Sequence, residues 1–129
     1  MSRTLLLIDD DDDIREIAQL SLELGAGWTV LTAASGPDGI EIAGDKHPDA
    51  ILLDVMMPVL DGPATLAKLR EDDRTKMIPV VFLTAKARPA ERDRLAGLDV
   101  AGVLAKPFDP MTLADQLESV LDWNAEDTQ

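Results

Sequence analysis

The sequence lacks cysteine and tyrosine, and it has one histidine in 129 residues. The absence of cysteine excludes disulfides, thiolate metal sites and thiol nucleophiles, and a single histidine argues against a histidine-rich metal site. Aromatic residues make up 3% of the chain, too few for a platform on which bases or sugars stack. Basic residues are also scarce, with 12 Lys and Arg against 25 Asp and Glu. The net charge of -13 argues against direct binding to nucleic acids or anionic membranes, because both are negatively charged.

No apolar run approaches the roughly 20 residues that span a membrane. The N-terminal stretch MSRTLLLIDDDDD differs from a signal peptide, because its short apolar run ends in five aspartates. We therefore expect a soluble cytoplasmic protein with one domain, residues 1–123, and a polar C-terminal tail, residues 124–129.

Five short apolar runs recur at roughly equal intervals, and each is followed by a segment with helix signals. They lie at residues 5–8, 30–31, 51–53, 80–83 and 103–104. Strands that alternate with helices predict βα units around a parallel sheet. The runs without polar alternation fit strands that are covered on both faces. The sequence therefore predicts an α/β fold.

Capping residues mark the predicted helix starts. Asp12 or Asp13 is expected to cap the first helix. Asp109, followed by Pro110, is expected to cap the fifth helix. The fourth helix, residues 87–98, has few large apolar side chains and is expected to have low local stability.

Polar side chains of complementary chemistry follow four of the five apolar runs. Asp9 and Asp10 follow the first run, Asp54 the third, Thr84 the fourth and Lys106 the fifth. Ligands of open parallel α/β sheets bind beyond the carboxyl ends of the strands. We therefore expect these side chains to converge if the sheet order makes those strands neighbours.

The chemistry of this set favours metal-assisted phosphorylation of an aspartate. Carboxylates suit a hard cation such as Mg²⁺, and a hydroxyl and an ammonium bind phosphoryl oxygens. A carboxylate is also a nucleophile toward phosphorus. Each feature alone has an ordinary explanation, such as helix capping or a solvated acidic face, so the hypothesis depends on their combination.

These residues resemble the receiver domain of bacterial two-component response regulators, over about residues 4–122. The resemblance is carried by segments in a specific order: Leu6–Asp10, Asp13–Arg15, Pro48–Pro58 with Asp61-Gly62, Val80–Ala85 and Lys106–Phe108. Because the chain ends soon after the fifth helix, it is similar to the stand-alone, chemotaxis-type regulators without an output domain.

The resemblance implies a single-domain (βα)₅, flavodoxin-like fold with strand order 2-1-3-4-5. It implies that Asp54 accepts a phosphoryl group from a sensor histidine kinase or a histidine phosphotransfer protein, with Mg²⁺ as cofactor. Asp10 and Asp54 would bind the metal directly, Asp9 would help through water, and Met56 would contribute its backbone carbonyl.

The resemblance also assigns roles to the other strand-end residues. Thr84 would bond a phosphoryl oxygen, and Lys106 would pair first with Asp54 and then with the phosphoryl group. The Lys106-Pro107 peptide bond would be cis. Phosphorylation would change the surface that a downstream effector protein reads, which makes the chain a switch and not a turnover enzyme. The sequence leaves the oligomeric state open.

Val103 leaves an alternative function open. The family commonly has Tyr or Phe at this position, so an aromatic switch coupled to Thr84 is missing. Asp99 also stands where Gly is common. The alternative is a degenerate receiver that binds protein without being phosphorylated. A phosphatase of the haloacid-dehalogenase type is disfavoured, because Met56 occupies the position of its second aspartate.

The predicted fourth helix has two interpretations. Its sparse apolar contacts suggest the hypothesis that it moves when the protein switches. The alternative is an ordinary charged surface helix.

Overall fold

The computed structural model describes residues 3–85 and 88–123, and within them five strands alternate with five helices. The strands are β1 (Thr4–Ile8), β2 (Thr29–Ala33), β3 (Ala50–Asp54), β4 (Val80–Thr84) and β5 (Gly102–Ala105). The helices are α1 (Asp12–Ala26), α2 (Gly36–Lys46), α3 (Gly62–Glu71), α4 (Pro89–Ala96) and α5 (Leu113–Val120). The predicted polar tail, residues 124–129, lies outside the described residues.

The strands form one parallel sheet in the order β2-β1-β3-β4-β5, which confirms the predicted fold. Successive residues of a strand point to opposite faces, so the sheet has two apolar layers. Leu7 packs in the layer that contains Leu22 of α1 and Leu117 of α5. Ile8 packs in the opposite layer with Leu69 of α3. All residues of β3 and β4 are buried, as their uninterrupted apolar sequences predicted.

The N-cap of α1 is Asp11, so the prediction of Asp12 or Asp13 was wrong. The Asp11 carboxylate accepts hydrogen bonds from the backbone N–H groups of Asp13 and Ile14. Asp12 and Asp13 lie in the first turn instead, where negative charge is favourable near the helix N-terminus. In a run of five aspartates, the composition alone does not determine which one caps.

The start of α5 is also later than predicted. The carboxylate of Asp109 accepts a hydrogen bond of 2.8 Å from the Met111 N–H, and its carbonyl accepts one of 3.0 Å from the Thr112 N–H. These bonds form a turn, and the helix begins after it, at Leu113. The Asp-Pro pair therefore marks a turn that precedes the helix.

Helix α4 is short and thinly packed. It covers Pro89–Ala96 rather than residues 87–98, and residue 87 itself lies outside the described residues. Leu95 is the buried residue of this helix. The hypothesis that α4 moves remains a prediction. None of the helices in the described ranges is long and apolar enough to span a membrane.

Candidate functional site

The sheet order brings the four predicted strand ends to one edge. β1 and β3 are neighbours, and β4 and β5 follow beside them. The ammonium of Lys106, just after β5, lies 3.0 Å from Oδ2 of Asp9 and 3.1 Å from Oδ1 of Asp54. Side chains that are far apart in the sequence therefore meet in one centre, as the strand-end pattern predicted.

Three carboxylates form a cluster at this edge. Asp9, Asp10 and Asp54 each place an oxygen within 4.8 Å of the others. Asp9 and Asp54 are buried, whereas Asp10 is exposed. The cluster thus combines two buried carboxylates with one that faces solvent.

The cluster fits a hard divalent cation. One oxygen of Asp9, Oδ1, accepts a hydrogen bond of 2.9 Å from the Asp11 N–H. Its other oxygen, Oδ2, is buried and receives no well-directed hydrogen bond within the described structure, although the Lys106 ammonium is close. Clustered carboxylate oxygens, two of them on buried residues and one on the exposed Asp10, are the type of ligand that Mg²⁺ prefers.

Met56 lies beside the cluster through its backbone. Its N–H donates to Oδ1 of Asp54 at 3.4 Å, and its side chain is largely exposed. The predicted use of its carbonyl oxygen as a metal ligand remains a prediction.

Thr84 and Lys106 are joined through the backbone at the ends of β4 and β5. Thr84 is buried and pairs with Ala105 in register. The Lys106 N–H donates to the Thr84 carbonyl at 2.8 Å. The Lys106-Pro107 peptide bond is cis, as the resemblance implied.

The electrostatics of the centre favour an anionic Asp54 at neutral pH. Burial raises the pKa of Asp54 from 3.8 to about 6, and the charge of Asp9 adds to this effect, while Lys106 opposes it. Burial of the Lys106 ammonium disfavours its charge, but the contacts with Asp9 and Asp54 outweigh burial and raise its pKa. At pH 7 the centre therefore holds an ionised Asp54 carboxylate next to the Lys106 ammonium.

Gly62 allows α3 to begin against the end of β3. Its N–H donates to the Val55 carbonyl at 2.9 Å. A Cβ at this position would lie 2.7 Å from the backbone oxygen of Asp54. Glycine at residue 62 thus allows the start of α3 to lie directly against the end of β3 that carries Asp54.

Arg15 contacts the turn that carries the acidic cluster, a role that the sequence alone did not indicate. Its Nη1 donates to the backbone carbonyl of Asp9 at 2.7 Å, and its Nη2 pairs with the carboxylate of Asp12. The spacing of Asp12 and Arg15, three residues apart on a helix, is a readable signal for the second contact. The contact with a backbone carbonyl leaves no such signal.

Comparison with known proteins identifies the family. The architecture is that of a doubly wound, flavodoxin-like domain with its site at the carboxyl edge of the sheet. Residues 5–118 match the family model of the response regulator receiver domain, and the chain belongs to this family. It is accordingly a receiver domain of two-component response regulators, a signalling switch and not a turnover enzyme.

Its relatives include full-length regulators. The chain is 36% identical over 123 residues to the phosphate regulon transcriptional regulatory protein PhoB of Pseudomonas aeruginosa, covering 94% of this chain and 52% of that protein. It is 37% identical over 118 residues to response regulator Rre1 of Synechocystis, covering 92% and 49%. The chain therefore spans about half the length of these curated relatives.

Solved structures with the same fold cover nearly the whole of both chains. Chemotaxis response regulator CheY4 of Vibrio cholerae has a TM-score of 0.85 and 32% identity, over 93% of this chain and 99% of that chain. The N-terminal domain of a response regulator receiver protein from Methanoculleus marisnigri has a TM-score of 0.75 and 34% identity, over 95% and 98%.

Proposed function

We propose that Asp54 accepts a phosphoryl group from a phosphohistidine of a sensor kinase or a histidine phosphotransfer protein. The modified chain then presents a changed surface to a downstream effector protein. The observation that carries this proposal is the buried Asp54 carboxylate, held 3.1 Å from the Lys106 ammonium at the edge where Asp9 and Asp10 also converge.

The proposed transfer is a single displacement at phosphorus. An Asp54 oxygen forms the new bond to phosphorus, while the bond from phosphorus to the donor's imidazole nitrogen breaks. The imidazole keeps the electron pair and is released. Since Asp54 is ionised above about pH 6, it needs no base to remove a proton before it attacks.

Charge neutralisation and positioning are the tasks of the surrounding residues. We assign the metal site to Asp9, Asp10, Asp54 and the Met56 carbonyl, with Asp9 acting through water. When bound there, Mg²⁺ would neutralise charge on the phosphoryl oxygens. Lys106 already holds Asp54 by ion pairing, and it would transfer this interaction to the phosphoryl group.

Thr84 supplies the proposed link between phosphorylation and the surface. It is buried at the end of β4, beside the strand that carries Asp54. A phosphoryl group adds negative charge and acceptor oxygens, to which the Thr84 hydroxyl would donate. Movement of this side chain would be transmitted to β5 and the thinly packed α4.

A phosphorylation-independent interaction module is the second candidate. Val103 favours it, since its small side chain offers no aromatic ring to reorient when Thr84 moves. The complete carboxylate and lysine centre favours phosphorylation, because its carboxylates suit Mg²⁺ and its ammonium suits phosphoryl oxygens.

Acetyl phosphate with Mg²⁺ tests the proposal directly. Intact-mass spectrometry is expected to show one added phosphoryl group on the wild type, dependent on Mg²⁺, and none on Asp54→Asn. Asp73→Asn, which changes a highly exposed acid elsewhere, is the matched control and should be modified normally. Modification that persists in Asp54→Asn, or its absence from the wild type, would overturn the proposal.

A further inference from the structure

The guanidinium of Arg15, on α1, contacts the β1–α1 turn at Asp9 and the first residue of its own helix, Asp12. Nη1 binds the carbonyl of Asp9 at 2.7 Å, and Nη2 binds the carboxylate of Asp12. Asp10 lies between these two points in the chain. The Arg15 side chain is 19% exposed, and its contact with the Asp9 carbonyl is partly buried, whereas the Asp12 carboxylate is exposed to solvent. A planar fork with several donors can make both contacts at once, which a flexible ammonium does less well.

Hydrogen bonds fix the backbone and one carboxylate oxygen of Asp9, and its other oxygen, Oδ2, lies beside the Lys106 ammonium. The Asp9 N–H donates to the Ala33 carbonyl at 3.1 Å, and its Oδ1 accepts from the Asp11 N–H. Arg15 donates to the backbone carbonyl of Asp9, and the remaining polar atom, Oδ2, faces the Lys106 ammonium. The direction of the Asp9 carboxylate therefore depends on a backbone unit that Arg15 anchors.

We propose that Arg15 is a positioning residue for the metal site, which holds the turn so that Asp9 and Asp10 meet Asp54. This inference rests on the proposed function and deepens it. Arg15 acts through the backbone and through Asp12, not on the reacting atoms. Groups that orient metal ligands in this way commonly change metal affinity by about 10- to 100-fold when they are removed.

Electrostatics alone predicts the opposite effect. Arg15 is a cation near a site for a cation, so its removal should strengthen Mg²⁺ binding if charge is all it contributes. Its pairing with Asp12, whose carboxylate is exposed to solvent, reduces that repulsion. Loss of the contact with the Asp9 carbonyl, in contrast, releases a turn that must be ordered again when the metal binds. The sign of the change in affinity therefore separates positioning from charge.

The test measures Mg²⁺ binding to the full chain by calorimetry and, in parallel, the Mg²⁺ dependence of modification by acetyl phosphate. Arg15→Met is expected to weaken Mg²⁺ binding by about tenfold, while the modification rate at saturating Mg²⁺ stays within about twofold of the wild type. A separation of this kind between affinity and maximal rate would not result from general loss of structure. Arg74→Met removes an equal charge from an exposed arginine in the loop before β4 and should leave both quantities unchanged.

Arg15→Lys keeps the charge but loses the planar fork, and it covers the case in which Arg15→Met does not fold. If Arg15 positions the turn, the Mg²⁺ affinity of Arg15→Lys should lie between those of the wild type and Arg15→Met. If only its charge matters, Arg15→Lys should bind Mg²⁺ as the wild type does. Unchanged or tighter Mg²⁺ binding in both variants would overturn the inference while leaving the proposed function intact. A wild type that binds Mg²⁺ but is never phosphorylated would refute only the proposed function, and one that binds no Mg²⁺ would refute both.

Discussion

The ammonium of Lys106 lies 3.1 Å from Oδ1 of Asp54, and this contact joins residues that are 52 positions apart in the chain. The same ammonium is 3.0 Å from Asp9. One cation therefore compensates two buried carboxylates. The stability of the sheet's carboxyl edge and the readiness of Asp54 for reaction depend on the same side chain.

Lys106→Met should destabilise the protein at pH 7.5, because it leaves two buried carboxylates without their cation. Removing one partner of a buried ion pair costs about 3–5 kcal/mol, and the effect should shrink at pH 5, where Asp54 becomes protonated. Urea unfolding in the presence of EDTA at both pH values measures this. Lys76→Met breaks an exposed pair with Asp73 and should cost less than about 1 kcal/mol. Equal losses in the two variants would contradict the role of Lys106.

The raised pKa of Asp54 predicts a pH dependence of stability in the metal-free protein. The pKa of the folded state, about 6, is higher than the ordinary value of 3.8, so the native state binds the proton more tightly. The resulting stabilisation is complete below about pH 4 and is lost as the pH rises through about 6. A shift of this size corresponds to up to about 3 kcal/mol.

Asp54→Asn isolates this contribution. We expect the difference in unfolding free energy between this variant and the wild type to change in favour of the variant between pH 4 and 7, measured by urea unfolding with EDTA. Other titrating groups are shared by the two proteins and largely cancel. A difference that does not vary with pH would mean that Asp54 titrates normally in the folded state.

Val59 occupies a backbone conformation that is costly for its side chain. Its φ is 69°, in the left-handed region, and it is the centre of a turn in which the Leu60 N–H donates to the Pro58 carbonyl at 2.7 Å. A β-branched residue is rarely found there, and the left-handed conformation costs L-residues about 1–2 kcal/mol. Because the side chain is fully exposed, its removal sacrifices no packing.

Val59→Gly should therefore raise the free energy of unfolding by up to about 1 kcal/mol, after the greater freedom of glycine in the unfolded chain is included. Chemical denaturation provides the measurement. Val100→Gly, at a partly buried position packed against the core, is the contrasting variant and should lower stability. A loss of stability in Val59→Gly would show that the turn needs valine for another reason.

The sequence predicts that the candidate site residues converge, because parallel strands make their relative positions nearly independent of the loops. Asp54 and Thr84 directly follow apolar runs, Lys106 follows one after Ala105, and a parallel sheet brings such positions to one edge. Once β3, β4 and β5 are neighbours, the residues at their carboxyl ends lie close together whatever the sequences of the loops. The five strands were predictable for the same reason, since uninterrupted apolar runs fit strands that are covered on both faces.

Local features of the loops were less predictable, because they depend on competition between similar groups. Asp11 caps α1 although Asp12 and Asp13 have identical side chains, and the outcome depends on which backbone position is extended. The turn at Asp109 delays α5 by satisfying backbone groups before the helix begins. The contact of Arg15 with the Asp9 carbonyl could not be predicted from the sequence, because every residue has a backbone carbonyl.

Gly62→Ala tests whether close approach of α3 to β3 sets the position of Asp54. The added Cβ would lie 2.7 Å from the Asp54 backbone oxygen and 2.8 Å from the Val55 Cα, and neither backbone atom can give way without moving the strand end. We expect a loss of about 1–3 kcal/mol in unfolding free energy, as for other overpacked sites. We also expect slower modification of Asp54 by acetyl phosphate, because the carboxylate is displaced from Lys106.

Gly25→Ala is the matched control for Gly62→Ala, since a Cβ at residue 25 would meet no atom within 4 Å of it in the described structure. Gly25 lies inside α1, where alanine is favoured over glycine by up to about 1 kcal/mol. The same chemical change should therefore stabilise the protein at residue 25 and destabilise it at residue 62. If Gly62→Ala instead matched the wild type in both unfolding free energy and modification rate, the end of β3 would have to be free to shift, and Asp54 would be held by Lys106 rather than by the backbone.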